Sequence, residues 1–116
     1  MAECIFCKIA RGEIPSKKVF ENDQVIVFHD IKPVAPVHVL IVPKKHVSDL
    51  LSLEQDANGP AIAWTLFQAA AEAAGKLGVD KKGFRLINNC GEDGGQTVDH
   101  IHLHLIGGKP LGEGLI

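Results

Sequence analysis

In the stretch Thr97-Val98-Asp99-His100-Ile101-His102-Leu103-His104-Leu105, polar and apolar residues alternate from His100 onward, which is the pattern of a half-buried β-strand. We therefore predict a strand over residues 100–106, with three histidines on one face and the apolar side chains in the core. At ~3.3 Å per residue the three imidazoles span roughly 13 Å, and such a row is costly to bury and has no purpose in solvent. The pattern indicates either a metal cluster or a nucleophile with supporting bases. Because neighbouring strand positions splay their side chains, a shared substrate is favoured over one tetrahedral ion.

The segments around this stretch predict an α+β domain. They are a short helix over 4–11, a hairpin of strands 18–21 and 24–28 around the turn Asn22-Asp23, a buried central strand over 37–42, a helix capped by Ser52 with Gln55 reaching back, a long helix over 60–77 that stops at Gly78, and a strand over 84–88. Strands outnumber helices and the helices do not alternate with them, which favours an antiparallel sheet of about five strands.

Length and composition limit the class of protein. The chain has 116 residues, 46% of them apolar and 22% charged, which indicates one globular domain over residues 1–116 and excludes intrinsic disorder, collagen and coiled coil. The net charge of −2 argues against a dedicated nucleic-acid-binding protein. No apolar run approaches ~18 residues, so we expect no membrane contact. The chain start lacks the pattern of a signal peptide, and three cysteines do not make a disulfide scaffold, so we expect a reduced cytoplasmic protein.

The long helix carries two apolar stripes. One stripe runs through Ile62, Leu66, Ala70, Ala73 and Leu77, and the other contains Trp64, Phe67, Ala71 and Ala74. One side is expected to cover the sheet. The other would expose an unusual aromatic patch on a monomer, so we predict a two-fold homodimer across this helix.

Two further motifs carry chemistry. Residues 91–95 hold three glycines directly before the histidine stretch, and such a turn lets backbone N–H groups approach a phosphate. Cys4-x-x-Cys7 is ambiguous between a redox pair and a zinc knuckle, but it lacks the preceding strand of a thioredoxin-like pattern. Zinc needs two more ligands, for which His46 and His100 are candidates. Cys90 is expected to be a small buried residue.

The chain resembles the histidine triad family. Its residues His100-Ile-His102-Leu-His104-Leu-Ile106 are similar to that family's motif, His-φ-His-φ-His-φ-φ with φ apolar. Ordered matches extend over almost the whole chain: Cys4-Ile-Phe-Cys-Lys-Ile9, Ile14-Pro15, Phe28-His-Asp-Ile31, His38, Pro43-Lys-Lys-His46, Asp93-Gly-Gly-Gln96 and Gly107-Gly108. The most similar branch is the histidine triad nucleotide-binding (HINT) group, which implies an α+β homodimer that hydrolyses purine nucleoside phosphoramidates, derivatives of AMP or GMP, without an organic cofactor.

The resemblance implies a catalytic role for each histidine of the site. His102, the middle histidine, falls on the residue that attacks the α-phosphorus, and water would then hydrolyse the nucleotidyl-imidazole. His104 would contact the phosphate and stabilise its developing charge. His38 would lie behind the site and orient the triad, unless it is an ordinary core histidine. His100 would support His102.

The resemblance also implies a nucleotide pocket. Asp30 would accept from the ribose hydroxyls, and Phe6, Phe28 and Ile31 would line the base site, although an ordinary core role for the two phenylalanines stays open. Thr97 stands where HINT proteins commonly have Ser, and its hydroxyl could bond the phosphate or the leaving amine. The expected set is Phe6, Ile14, Phe28, Asp30, Ile31, Asn89, Gly95, Gln96, Thr97 and His104.

Other readings stay open. Some branches of the family hold zinc with two cysteines and two histidines, including the first triad histidine, which implies a structural zinc on Cys4, Cys7, His46 and His100. HINT proteins commonly lack the cysteines, so their presence is a departure. A dinucleoside polyphosphate hydrolase is disfavoured by the HINT-like segments Asp93-Gly-Gly-Gln96 and Gly107-Gly108. A regulatory or scaffold protein with incidental hydrolysis would use the same pocket. A zinc-stabilised structural module would leave the glycine loop and His38 unexplained.

Overall fold

A computed structural model describes residues 4–116 and places five strands in one antiparallel sheet, which confirms the predicted α+β class. The strand order is β1-β2-β3-β5-β4. The elements in chain order are α1 (Ile5–Ala10), β1 (Lys18–Glu21), β2 (Val25–His29), β3 (Val37–Pro43), α2 (Leu50–Gln55), α3 (Gly59–Leu77), β4 (Phe84–Ile87) and β5 (Leu103–Gly107).

The central strand β3 is buried on both faces, as its nearly continuous apolar sequence predicts. Val39 and Ile41 point to one face, where α3 covers the sheet and builds the larger core. Leu40 and Val42 point to the opposite face and pack in a second core with Phe6 of α1. The sheet therefore separates a purely structural face from a face on which α1 and the histidines lie.

The helices begin and end at signals in the sequence, with one correction. Pro60 occupies the first turn of α3, and Gly78 ends it with a φ of 73°, a left-handed conformation that glycine adopts readily. The cap of α2 is Asp49, whose carboxylate accepts from the backbone N–H of Ser52 at 2.8 Å. The predicted cap at Ser52 is wrong because this side chain lies inside the helix, while the aspartate three residues earlier satisfies the first-turn donor.

The histidine stretch enters its strand later than its alternation predicts. β5 begins at Leu103, so His100 and His102 lie in irregular backbone before it. The N–H of His100 donates to the carbonyl of Val98 at 2.8 Å, and that of Ile101 donates to Val47 at 2.7 Å. These bonds replace a strand ladder at this point. The alternation of side chains survives, because Ile101 and Leu103 are buried in apolar clusters away from the imidazoles.

Within residues 4–116, no helix combines the length and the apolar character that crossing a bilayer requires.

Candidate active site

Two of the three triad histidines, His100 and His102, contact Phe6 of α1. The ring centroids of His102 and His104 lie 5.2 Å apart, and Phe6 meets His102 edge to face at 4.9 Å with an interplanar angle of 85°. Phe6 also lies 5.9 Å from the ring of His100. His100 and His102 are buried and His104 is half-buried. Phe6 therefore places an aromatic ring of α1 against the imidazoles of His100 and His102.

Backbone contacts fix the tautomer of His102. Its Nδ1 lies 2.8 Å from the carbonyl oxygen of His100, and because a carbonyl only accepts, this nitrogen must carry the proton and donate it. In the neutral ring Nε2 then keeps its lone pair. The side-chain amide of Asn88 donates to the carbonyl of His102 at 3.0 Å and holds the same residue from behind. The sequence analysis does not predict this role for Asn88. The only indication in the sequence is an amide side chain directly after the strand β4.

A second chain of hydrogen bonds fixes His104. The backbone N–H of Val34 donates to Nδ1 of His38 at 3.1 Å, so the proton of neutral His38 sits on Nε2. Nε2 lies 2.9 Å from Nδ1 of His104 and donates to it, while Oδ2 of Asp30 lies 3.4 Å from the same Nε2. His104 then carries its own proton on Nε2. We name the sequence of bonds from Val34 through His38 to His104 the relay.

Burial keeps the triad neutral near pH 7. Desolvation is the main cause that lowers the pKa of His100, His102 and His104 below the usual value for histidine. The carbonyl of His100 and the carboxylate of Asp30 raise the pKa of His102 in part, without reversing the effect. A neutral imidazole with an exposed lone pair is a nucleophile, whereas a protonated one is not.

A cleft of about 890 Å³ opens beside the relay. Its apolar wall comes from α1 and β2, and Asp30 and His38 supply polar groups. The lining includes six of the predicted site residues, which are Phe6, Ile14, Phe28, Asp30, Ile31 and His38. Oδ1 of Asp30 accepts from the N–H of Lys32 at 2.8 Å, and a carboxylate retains acceptor capacity after one such bond. Ile31 is almost fully exposed at the rim.

The glycine loop 91–97 connects β4 to the histidine stretch. Its backbone folds tightly: Gly95 has a φ of 77° and donates its N–H to Glu92 at 3.0 Å, and a Cβ on Gly94 would lie 2.4 Å from the carbonyl oxygen of Cys90. Asn89 is half-buried where the loop starts and Thr97 is exposed where it ends. The side-chain amide of Gln96 forms hydrogen bonds with Gly91, Ser48 and Val98.

Four candidate metal ligands meet at the start of α1. The donor atoms of Cys4, Cys7, His46 and His100 all lie within 4.8 Å of one another. Sγ of Cys4 is 3.1 Å from Sγ of Cys7 and 3.2 Å from Nδ1 of His100, and Sγ of Cys7 is 3.2 Å from Nδ1 of His46. Around a tetrahedral zinc with bonds of ~2.0–2.3 Å, ligand atoms stand roughly 3.3–3.8 Å apart, so the arrangement fits that ion with slight contraction.

The tautomer of His100 also suits a metal. Its Nε2 lies 2.7 Å from the carbonyl oxygen of Pro43 and donates to it, which leaves the lone pair of Nδ1 facing the two sulfurs. The cluster of Asp30, His38 and His104 is equally compact, but His38 has no free lone pair to offer a metal. Because Nδ1 of His38 accepts from Val34, metal binding at Nε2 would require an anionic imidazole. This second cluster is therefore a hydrogen-bond relay.

Comparison with known proteins identifies the family of this chain. The model of the HIT domain matches residues 11–111. A protein named purine nucleoside phosphoramidase from Escherichia coli (strain K12) is 45% identical over 113 residues, which covers 95% of this chain and 91% of that protein. The solved structure of a HIT family hydrolase from Clostridium thermocellum has a TM-score of 0.93 at 43% identity, covering 100% of this chain and 99% of that one.

A histidine triad protein from Clostridium difficile is similar as well, with a TM-score of 0.89 at 48% identity and coverage of 97% of each chain. The region matched by the family model, residues 11–111, contains the triad, the relay and the glycine loop. The expected resemblance to histidine triad proteins is confirmed, and the chain belongs to the HIT domain family of hydrolases.

Proposed function

We propose that this protein hydrolyses the P–N bond of purine nucleoside 5′-phosphoramidates through a covalent nucleotidyl intermediate on His102. The observation that carries the proposal is the tautomer of His102. Its Nδ1–H donates to the carbonyl of His100, so Nε2 keeps a lone pair that can attack phosphorus. The E. coli relative named purine nucleoside phosphoramidase supports the choice of substrate.

The reaction follows from these proton positions. Nε2 of His102 attacks the α-phosphorus, the P–N bond breaks, and the leaving nitrogen takes a proton from solvent and departs as an amine. Water then attacks the phosphorus and gives up a proton to solvent, the bond to Nε2 breaks, and the nucleoside monophosphate is released. The relay leaves His104 with an Nε2–H that would donate to the phosphoryl oxygen as charge develops.

Nucleotide binding would use the cleft and the glycine loop. Phe6, Phe28, Ile14 and Ile31 offer apolar surfaces for a purine face. Asp30 would accept from the ribose hydroxyls. The phosphate would lie against the histidines, near Asn89, Gly95 and Thr97.

The assembled form would be a zinc-containing homodimer in the cytoplasm. Zinc on Cys4, Cys7, His46 and His100 would tether α1, and the fit of the four donors supports this proposal. On α3, Trp64 is 64% exposed and Phe67 is 55% exposed. A second copy that covers this pair would remove a large apolar patch from water.

The test is turnover of an adenosine 5′-phosphoramidate by the wild type and by His102→Ala, with AMP binding measured on both. His102→Ala should lose several decades in kcat and retain AMP binding, because the substitution removes the attacking nitrogen and leaves the proposed base and ribose contacts in place. Residual activity within about tenfold of wild type would contradict the nucleophile. Wild-type binding of AMP without turnover would indicate a nucleotide-binding regulatory protein instead.

A further inference from the structure

The amide of Gln96 is fully used at the point where three segments meet. Its Oε1 accepts from the N–H of Gly91 at 2.9 Å, and its Nε2 donates to the carbonyl of Ser48 at 2.7 Å and to that of Val98 at 2.9 Å. Both amide hydrogens are therefore committed to the protein. The backbone N–H of Gln96 also donates to the carbonyl of Gly91 at 3.0 Å, which closes the loop on itself.

These bonds have few substitutes in the loop. Within the described residues 4–116, Gln96 provides every side-chain hydrogen bond that segment 91–97 makes. Glycine and exposed side chains make up most of that segment, so packing contributes little to its order. A loop without packing keeps one conformation only where hydrogen bonds determine it.

Ser48, whose carbonyl accepts from Gln96, is close in sequence to His46, one of the four candidate metal ligands. Ser48 follows His46 by two residues, and the intervening Val47 accepts from the N–H of Ile101 at 2.7 Å. Segment 46–48 is thus bonded to Ile101, which follows His100, and to the side chain of Gln96, which precedes it. The amide of Gln96 extends this junction to the glycine loop.

We propose that Gln96 is a positioning residue that holds the glycine loop in its phosphate-binding form and ties it to segment 46–48, rather than a residue that touches the nucleotide. This inference rests on the proposed function for the identity of the ligand. It replaces the sequence-based expectation that Gln96 binds nucleotide directly. Removing the amide should loosen the loop and weaken only the part of binding that depends on the phosphate.

The experiment compares Gln96→Met, which keeps length and neutrality but makes no hydrogen bond, with Gln96→Asn, whose amide is too short to reach all three partners. Gln24→Met, on an exposed side chain at the hairpin turn, is the matched control. Binding of AMP and of adenosine is measured by calorimetry, and amide hydrogen exchange is followed in segments 46–48 and 91–98. Using both ligands separates the phosphate contribution from the base and ribose contributions.

Gln96→Met should weaken AMP binding at least tenfold, change adenosine binding less than twofold and speed exchange in both segments, with Gln96→Asn intermediate and the control unchanged. Weaker AMP binding with unaltered exchange would overturn the inference in favour of direct contact. Equal weakening of both ligands would overturn it in favour of general destabilisation. If the wild type binds neither ligand, the proposed function fails. Faster exchange in Gln96→Met would then still support a positioning role, and unaltered exchange would overturn it.

Discussion

Replacing His38 separates the two ends of the relay. In His38→Asn the side-chain oxygen is as many bonds from Cα as Nδ1, so it keeps an acceptor for the N–H of Val34 but loses the donor to His104. In His38→Gln the amide nitrogen is as many bonds from Cα as Nε2, so it keeps the donor and loses the acceptor. The two variants remove opposite halves of one chain of hydrogen bonds.

The two variants should differ in what they lose: His38→Asn mainly catalytic rate and His38→Gln mainly stability. Without a donor from residue 38, His104 is free to place its proton on Nδ1, and it then has no N–H to give to the phosphate. Loss of one pre-organised donor of this kind costs about 10²–10³ in kcat, which is the loss we expect for His38→Asn. In His38→Gln the N–H of Val34 loses its partner, which costs about 1–3 kcal/mol of stability because that group is part-buried.

The assay is kcat for an adenosine phosphoramidate together with urea unfolding, on both variants and the wild type. His38→Asn should lose more in kcat, and His38→Gln should lose more in free energy of unfolding. Values of kcat for the two variants that agree within about threefold would refute the relay, since both would then act only through altered packing of the strand β3.

Three other predictions follow from the same geometry. Protein purified without chelator should contain one zinc per chain, and Cys4→Ala should lower the melting temperature more than it lowers turnover; elemental analysis without zinc after growth in zinc-replete medium would reject the site. Burial lowers the pKa of His104, so the unfolded chain takes up protons first on acidification, and the melting temperature should hold above pH ~6.5 and fall below it; a rise on acidification would contradict this sign. Light scattering at micromolar protein should give about twice 12.5 kDa, and Trp64→Glu should shift it toward the monomer; a monomeric wild type would exclude the dimer.

Periodicity predicts most of the architecture because it reflects burial directly. The apolar run of β3, the first apolar stripe of α3 and the terminal Gly78 each reflect a local requirement, and each is found where the sequence indicates. The second stripe is not one buried face, because Ala74 lies in the core while Trp64 and Phe67 are exposed. The alternation of the histidine stretch likewise predicts which side chains avoid the core. These features depend on which face of an element is buried, and neighbouring residues suffice to show it.

The missing parts are contacts between distant segments. The start of β5 is shifted because Ile101 bonds to Val47, some fifty residues away, instead of continuing a ladder. Two further hydrogen bonds depend on how strands and loops meet in space. The side chain of Asn88 donates to the carbonyl of His102, and the N–H of Val34 donates to His38. Periodicity carries no information about such bonds, so the tautomers that decide the chemistry were not predictable from the sequence.

The ligand cluster at the start of α1 has a consequence for how the chain is made. Cys4 and His100 are separated by 96 residues, so a ribosome that adds about 5–20 residues per second exposes the two thiols for roughly 5–20 s before the last imidazole emerges. During that time the thiols have no complete set of neighbours and are open to oxidants. Keeping both thiols reduced over that time is thus a condition for the four side chains to meet, and they cannot all meet before His100 has been synthesised.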